Sequence, residues 1–187
     1  MEKEKSTIHF ILTGGTIDSF YEGTKDTVTT LEHSKIPEYL TGLKLHEETK
    51  FTEICMKDSR DLIEQDMENI TNAIEESNSK KVIVTIGTYT MPDTAKYLKA
   101  NLKRDDQTII YTGSMIPLMG FAPSDASFNL GYSIAKVQDL QPGICVCMNG
   151  KIFSPEEVAK LLYEGRFISI FGEKKNMRRT QSSAYNI

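Results

Sequence analysis

The residues of this chain that could do chemistry fall in four short segments rich in hydroxyls and glycine. They are Thr13-Gly14-Gly15-Thr16-Ile17, Asp58-Ser59-Arg60, Gly87-Thr88-Tyr89-Thr90-Met91 and Thr112-Gly113-Ser114-Met115. A threonine or serine hydroxyl is a weak nucleophile until a base or a charged neighbour activates it. Glycine turns the chain at little steric cost and lets backbone N–H groups approach a ligand. Together such groups suit a small carboxylate or amide, with candidate nucleophiles among the hydroxyls. Plainer readings stand beside these. Gly14 and Gly15 serve any tight turn, and Thr16 could simply cap the turn it opens.

What must position these segments is legible in the apolar pattern. Strand-length runs occur at Ile8–Leu12, Phe51–Met56, Val82–Ile86, Thr108–Tyr111 and Ile144–Met148. Several are continuous and β-branched, as expected for parallel strands covered on both faces. Between them, Leu62, Ile63, Met67, Ile70 and Ile74 recur at helical spacing. Met91, Ala95 and Leu98 do the same, as do Ala126, Leu130, Ile134 and Val137. This βαβ order predicts an α/β fold: a doubly wound, mostly parallel sheet with helices on both faces, flavodoxin-like in its three layers. In such sheets ligands bind beyond the carboxyl ends of the strands. Each of the four polar segments follows one of the apolar runs.

The rest of the chain is less regular. Residues 18–50 are mixed and polar, and read as a mobile loop with a short helix near Ile36–Leu40. Asn149-Gly150 signals a two-residue hairpin. Ser154-Pro155-Glu156-Glu157 has the form of a helix start, with a Ser cap, Pro at the first position and Glu three residues on. Lys160 would lie on that helix, where a solvated face would put it. Asp125 either caps the helix opening at Ala126 or contacts a ligand. Met56, Met91, Met115 and Met119 read as packing residues.

Composition restricts the function classes. The 187 residues carry a net charge of −4, with 39% hydrophobic and 26% charged residues, as in a soluble globular domain. One domain over 1–187 is expected, its end from about residue 174 a mobile tail. Lys174-Lys175-Asn176-Met177-Arg178-Arg179 is the one basic cluster, and a solvated terminus accounts for it, so no nucleic-acid partner is expected. No run approaches the ~18 apolar residues of a membrane span, so no membrane partner is expected either. The 3 cysteines, Cys55, Cys145 and Cys147, sit in apolar runs and read as reduced thiols of a cytoplasmic protein. His9, His33 and His46 show no ligand spacing, and no metal or other cofactor is expected. A nucleotide site is disfavoured, because Thr13-Gly14-Gly15-Thr16 completes neither the Gly-x-Gly-x-x-Gly nor the Walker pattern.

Taken in order, Thr-Gly-Gly-Thr-Ile, Asp-Ser, Gly-Thr-x-Thr-Met and Thr-Gly-Ser-Met resemble the bacterial-type L-asparaginase/glutaminase family. The stretch Ser124-Asp125-Ala126-Ser127-Phe128-Asn129-Leu130 is similar to that family too, and the likeness runs from about residue 7 to about residue 150. The resemblance implies an amidohydrolase in which Thr16 attacks a side-chain amide and ammonia is released. It implies that Thr88 works with a lysine, for which Lys160 is the candidate, and that Tyr21 is the counterpart of a lid tyrosine. It assigns Ser59 to a substrate α-carboxylate, with Asp58 before it, and puts Gly15, Gly87 and Ser114 beside the substrate.

Two departures bear on the substrate. Where the family has aspartate after its second threonine, to pair with an α-ammonium group, this chain has Tyr89. Losing a charge-assisted contact costs about 1.5–3 kcal/mol of binding, so a free amino acid is expected to bind poorly unless Asp93, Asp125 or another carboxylate takes over. The family's smaller C-terminal domain is expected to have no counterpart here, which would leave the site more open. Exposed surface left without it could be buried in a homo-oligomer. The reading is therefore an asparaginase-like hydrolase acting on asparagine or a related small amide. The alternative is a binding module for a small acid or amide that has lost turnover.

Overall fold

The five apolar runs become neighbouring strands of one sheet. The computed structural model describes residues 7–172. It begins with β1 (Thr7–Gly14), β2 (Ser19–Glu22), β3 (Thr27–Thr30), α1 (Ile36–Gly42), β4 (Glu48–Lys57), α2 (Glu64–Glu75) and β5 (Lys81–Thr85). There follow α3 (Met91–Asn101), β6 (Thr108–Thr112), α4 (Ala126–Asp139), β7 (Gly143–Met148), β8 (Lys151–Phe153), β9 (Val158–Leu161) and β10 (Arg166–Ser169). The main sheet has the order β4-β1-β5-β6-β7-β8, parallel as far as β7 and antiparallel at β8. The tail expected to be mobile, from about residue 174, lies outside the described residues.

The sheet is buried on both faces, and this explains its unbroken apolar strands. On β5, Val82 and Val84 pack with Ile70 and Ile74 of α2 and with Met91, Ala95 and Leu98 of α3. Ile83 points to the other layer, where Ile36 and Leu40 of α1 and Leu130, Ile134 and Val137 of α4 cover the sheet. Helices on both faces of a mostly parallel sheet make the fold α/β and three-layered. From β1 the chain crosses to β4 on one side and then to β5 on the other. That reversal is the topological switch point, beyond which a crevice opens at the strand ends.

Three expectations give way. The segment after Asp18 is not simply a loop with a helix: β2 and β3 pair as an antiparallel hairpin, Ser19 opposite Thr30. The helix signal at Ser154 leads to a turn and then to β9, paired with β10. The capping signals are consumed locally, since Glu157 Oε1 accepts from Ser154 N at 2.7 Å. The chain then gains more by burying Val158 and Phe167 against the α2/α3 core than by continuing a helix. Met119 is 47% exposed, so it is not a packing residue, whereas Met91 is fully buried. The Asn149-Gly150 hairpin forms between β7 and β8, both residues having positive φ.

Candidate active site

Gly14 and Gly15 are required by the packing of the strand-end loops. Gly14 has φ +84° and a Cβ there would meet Lys57 N at 2.6 Å. Gly15 has φ +77°, and its Cβ would lie 2.4 Å from Gly87 Cα. A side chain on Gly87 would in turn meet Ser59 Cβ and Oγ at 2.7 Å. The loops after β1, β5 and β4 are thus stacked glycine to glycine to serine, which draws Thr16, Thr88 and Ser59 together. Gly15 N–H donates to Lys57 O at 2.8 Å, so it is committed to this packing and not free for a ligand.

Thr16, Asp58, Ser59, Arg60, Gly87, Thr88, Tyr89 and Lys160 line one recess of about 220 Å³ at the switch point. Thr16, Asp58 and Arg60 also border an outer cleft of about 510 Å³, walled by Thr27–Thr30 of β3 and by Met115. Thr16 opens a short 3₁₀ turn and is half-buried, whereas Ser59 and Thr88 are buried. The hydroxyls of Thr16 and Ser59 make no hydrogen bond among the described residues, and both line the recess.

Lys160 comes into the recess from β9. Its Nζ lies 2.6 Å from Thr88 Oγ1, donating to it as an ammonium. Burial pushes the Lys160 pKa below the ordinary lysine value; Asp58 opposes this and Arg60 reinforces it. A lysine so placed can lose its proton and accept one from a hydroxyl. Asp58 is held by Arg60, whose N, Nε and Nη2 donate to it at 2.9, 2.9 and 3.2 Å. The Arg60 guanidinium keeps the Asp58 carboxyl below the usual range and dominates over its partial burial.

Other expected site residues lie elsewhere. The Tyr21 hydroxyl donates to Asp26 at the β2–β3 tip, and its side chain, 52% exposed, borders neither cavity. Ser114 is buried with its hydroxyl donating to Ile116 O. Asp125 stands at the helix N-cap but caps nothing with its side chain. Its carboxylate instead accepts from Met115 N at 3.1 and 3.0 Å and from Ile116 N at 3.0 Å. Among the described residues, no group of three or more His, Cys, Asp or Glu side chains converges as a metal cage would need.

Some functional geometry was not evident from motif spacing. Asn129 Nδ2 donates to Gly113 O and to Asp125 Oδ2, each at 3.0 Å, and its Oδ1 accepts from Asn149 N at 3.2 Å. Asn149 Oδ1 then accepts from Phe167 N on β10 at 2.9 Å. This chain of amides ties the loop after β6 to the hairpin that carries Lys160. A buried polar residue on the apolar face of α4 is the signal that marks Asn129. For Arg60 the signal is its position two residues from Asp58, within reach of that carboxylate.

The fold and the recess invite comparison with known proteins. The family profile described as "Asparaginase, N-terminal" matches residues 7–166. A crystal structure of a probable cytoplasmic L-asparaginase from Campylobacter jejuni superposes with a TM-score of 0.74 at 26% identity, covering 88% of this chain and 53% of that one. The thermostable L-asparaginase from Thermococcus kodakarensis gives the same TM-score and identity, covering 88% and 51%. The chain thus spans about half the length of these relatives. No curated protein matches. With hydroxyls and lysine at the switch point and the profile extending over nearly all described residues, the chain belongs to the asparaginase family, in the part that forms its N-terminal domain.

Proposed function

We propose that the protein is an asparaginase-like amidohydrolase acting on a small amide. The observation that carries this reading is the contact of Lys160 Nζ with Thr88 Oγ1 in a recess shared with Thr16. Thr16 is the nucleophile: its Oγ1 bonds to the amide carbon, and the carbonyl π pair moves to oxygen. The hydroxyl proton passes through Thr88 to neutral Lys160. Collapse of the adduct breaks the C–N bond, and the nitrogen leaves as ammonia with the proton returned from Lys160. Water then attacks the threonine ester, releasing the acid and restoring the hydroxyl.

A variant of this scheme makes Thr88 itself the nucleophile, because Thr88, not Thr16, touches the base. Ammonia release from a panel of small amides by wild type, Thr16→Ala and Thr88→Ala tests the proposal. Turnover by wild type that disappears in Thr16→Ala supports it, and no ammonia from folded wild-type protein removes it. Tyr89 favours a second reading, a small-acid or amide binding module without turnover. Its mark would be thermal stabilisation by such a ligand with no hydrolysis. A cytoplasmic location belongs to the same proposal, suggested by the relative of that description and by the free thiols of Cys55, Cys145 and Cys147.

A further inference from the structure

We propose that the recess selects a small amide that carries a carboxylate but no ammonium group, the monoamide of a dicarboxylic acid, and that Arg60 determines this choice. The inference rests on the amidohydrolase reading for the fate of the ligand, but its charge argument concerns binding alone. An amino-acid amide such as asparagine brings an α-ammonium that needs a free carboxylate. The recess offers none. Asp58, the one carboxylate lining it among the described residues, is engaged on both oxygens by Arg60. Position 89, on the rim, is an uncharged tyrosine.

Neighbouring carboxylates do not substitute. Asp125 is spent on two backbone N–H groups and on Asn129. The side chain of Asp93 is 80% exposed and faces Lys96, and it borders neither cavity. Asp61 borders the outer cleft and not the recess. Against one committed carboxylate stand two cationic side chains, Arg60 and Lys160. A ligand ammonium would meet a net positive charge, whereas a ligand carboxylate meets a guanidinium.

Arg60 can serve a ligand without releasing Asp58. A guanidinium has five N–H donors, and Asp58 takes two of them. The remaining donors belong to a planar fork suited to a carboxylate, and Arg60 borders the same recess as the unbonded Ser59 hydroxyl. With its amide carbon at Thr16, such a ligand spans the recess from the hydroxyls to Arg60.

Binding to the Thr16→Ala protein tests this apart from catalysis, with succinamate and L-asparagine as probes in titration calorimetry. Succinamate is expected to bind at least tenfold more tightly than L-asparagine. Arg60→Gln should remove that preference, and Tyr89→Asp should move it toward asparagine, each in protein whose thermal unfolding shows it folded. Equal or tighter binding of asparagine, binding of neither probe, or an unchanged ratio in Arg60→Gln would overturn the inference. Ammonia release by wild type judges the other proposal separately. Preferential succinamate binding without turnover keeps this inference and removes the hydrolase. Turnover with a preference for asparagine does the reverse.

Discussion

Lys160 concentrates the residue-scale chemistry, because its Nζ lies 2.6 Å from Thr88 Oγ1 in a half-buried setting that lowers its pKa. A general base acts in its deprotonated form, so kcat/KM should rise with pH through the Lys160 pKa, which lies below the ordinary lysine value of about 10.4. Replacing Lys160 with methionine keeps much of its volume but removes the base. A fall in kcat of roughly 10²–10⁴-fold and loss of the rising pH limb are expected. Stability should not fall with it, since a partly buried ammonium is removed. A variant that keeps both its rate and its pH limb would take Lys160 out of the mechanism. The family resemblance named Lys160 as the candidate partner of Thr88, but the contact itself was not legible, because the two are 72 residues apart and the local signals around Lys160 favour a helix.

At the scale of elements, the strand-end loops hold the site by close contact. Gly15→Ala would put a Cβ 2.4 Å from Gly87 Cα at φ +77°. Backbone with φ 77° and ψ −172° is essentially restricted to glycine and costs another residue roughly 1–3 kcal/mol, and overpacking costs roughly 1–3 kcal/mol, so a loss of at least about 2 kcal/mol is expected from denaturant unfolding. A loss under about 0.5 kcal/mol would contradict the packing role given to this glycine.

A second element-scale test concerns β1, where His9 joins β4 and the segment after α2. Its ring nitrogens lie 2.8 Å from Ser77 Oγ and 2.8 Å from Thr52 Oγ1. Burial, assisted by Lys50, lowers its pKa from 6.5 to about 4. Between those values the unfolded chain binds more protons than the folded one, so stability present above pH 6.5 is lost as pH falls toward 4. The contribution is on the order of 3 kcal/mol. The stability difference between wild type and His9→Gln should therefore shrink over this range. A difference independent of pH would show that His9 is not held neutral.

Across the whole molecule, what was legible in the sequence follows from burial. β5 has core on both faces, so Val82, Ile83 and Val84 form an unbroken apolar run, and the glycines and hydroxyls that follow mark its carboxyl end. Partly exposed elements carry no such signal. In β3, Thr27–Thr30 are exposed or half-buried, and the β2–β3 hairpin disappears into a polar segment. The Asp125 carboxylate was equally illegible, because its backbone partners at Met115 and Ile116 are fixed only once the loop after β6 has folded over α4. The core also holds a cost that sequence does not reveal. The fully buried Tyr111 hydroxyl has no hydrogen-bond partner among the described residues. An unsatisfied buried polar group costs about 1–3 kcal/mol, so Tyr111→Phe should leave stability unchanged or raise it by about 1 kcal/mol. A decrease in its thermal midpoint would mean that the hydroxyl is satisfied.

The covalent threonine ester is the centre of the account, and trapping it with hydroxylamine tests it most directly. Folded wild-type protein supplied with succinamate or L-asparagine and hydroxylamine should yield ammonia together with the matching hydroxamate, and Thr16→Ala should yield neither. Ammonia without hydroxamate, or hydroxamate formed undiminished by Thr16→Ala, would contradict an ester on Thr16. No ammonia at all would contradict the hydrolase.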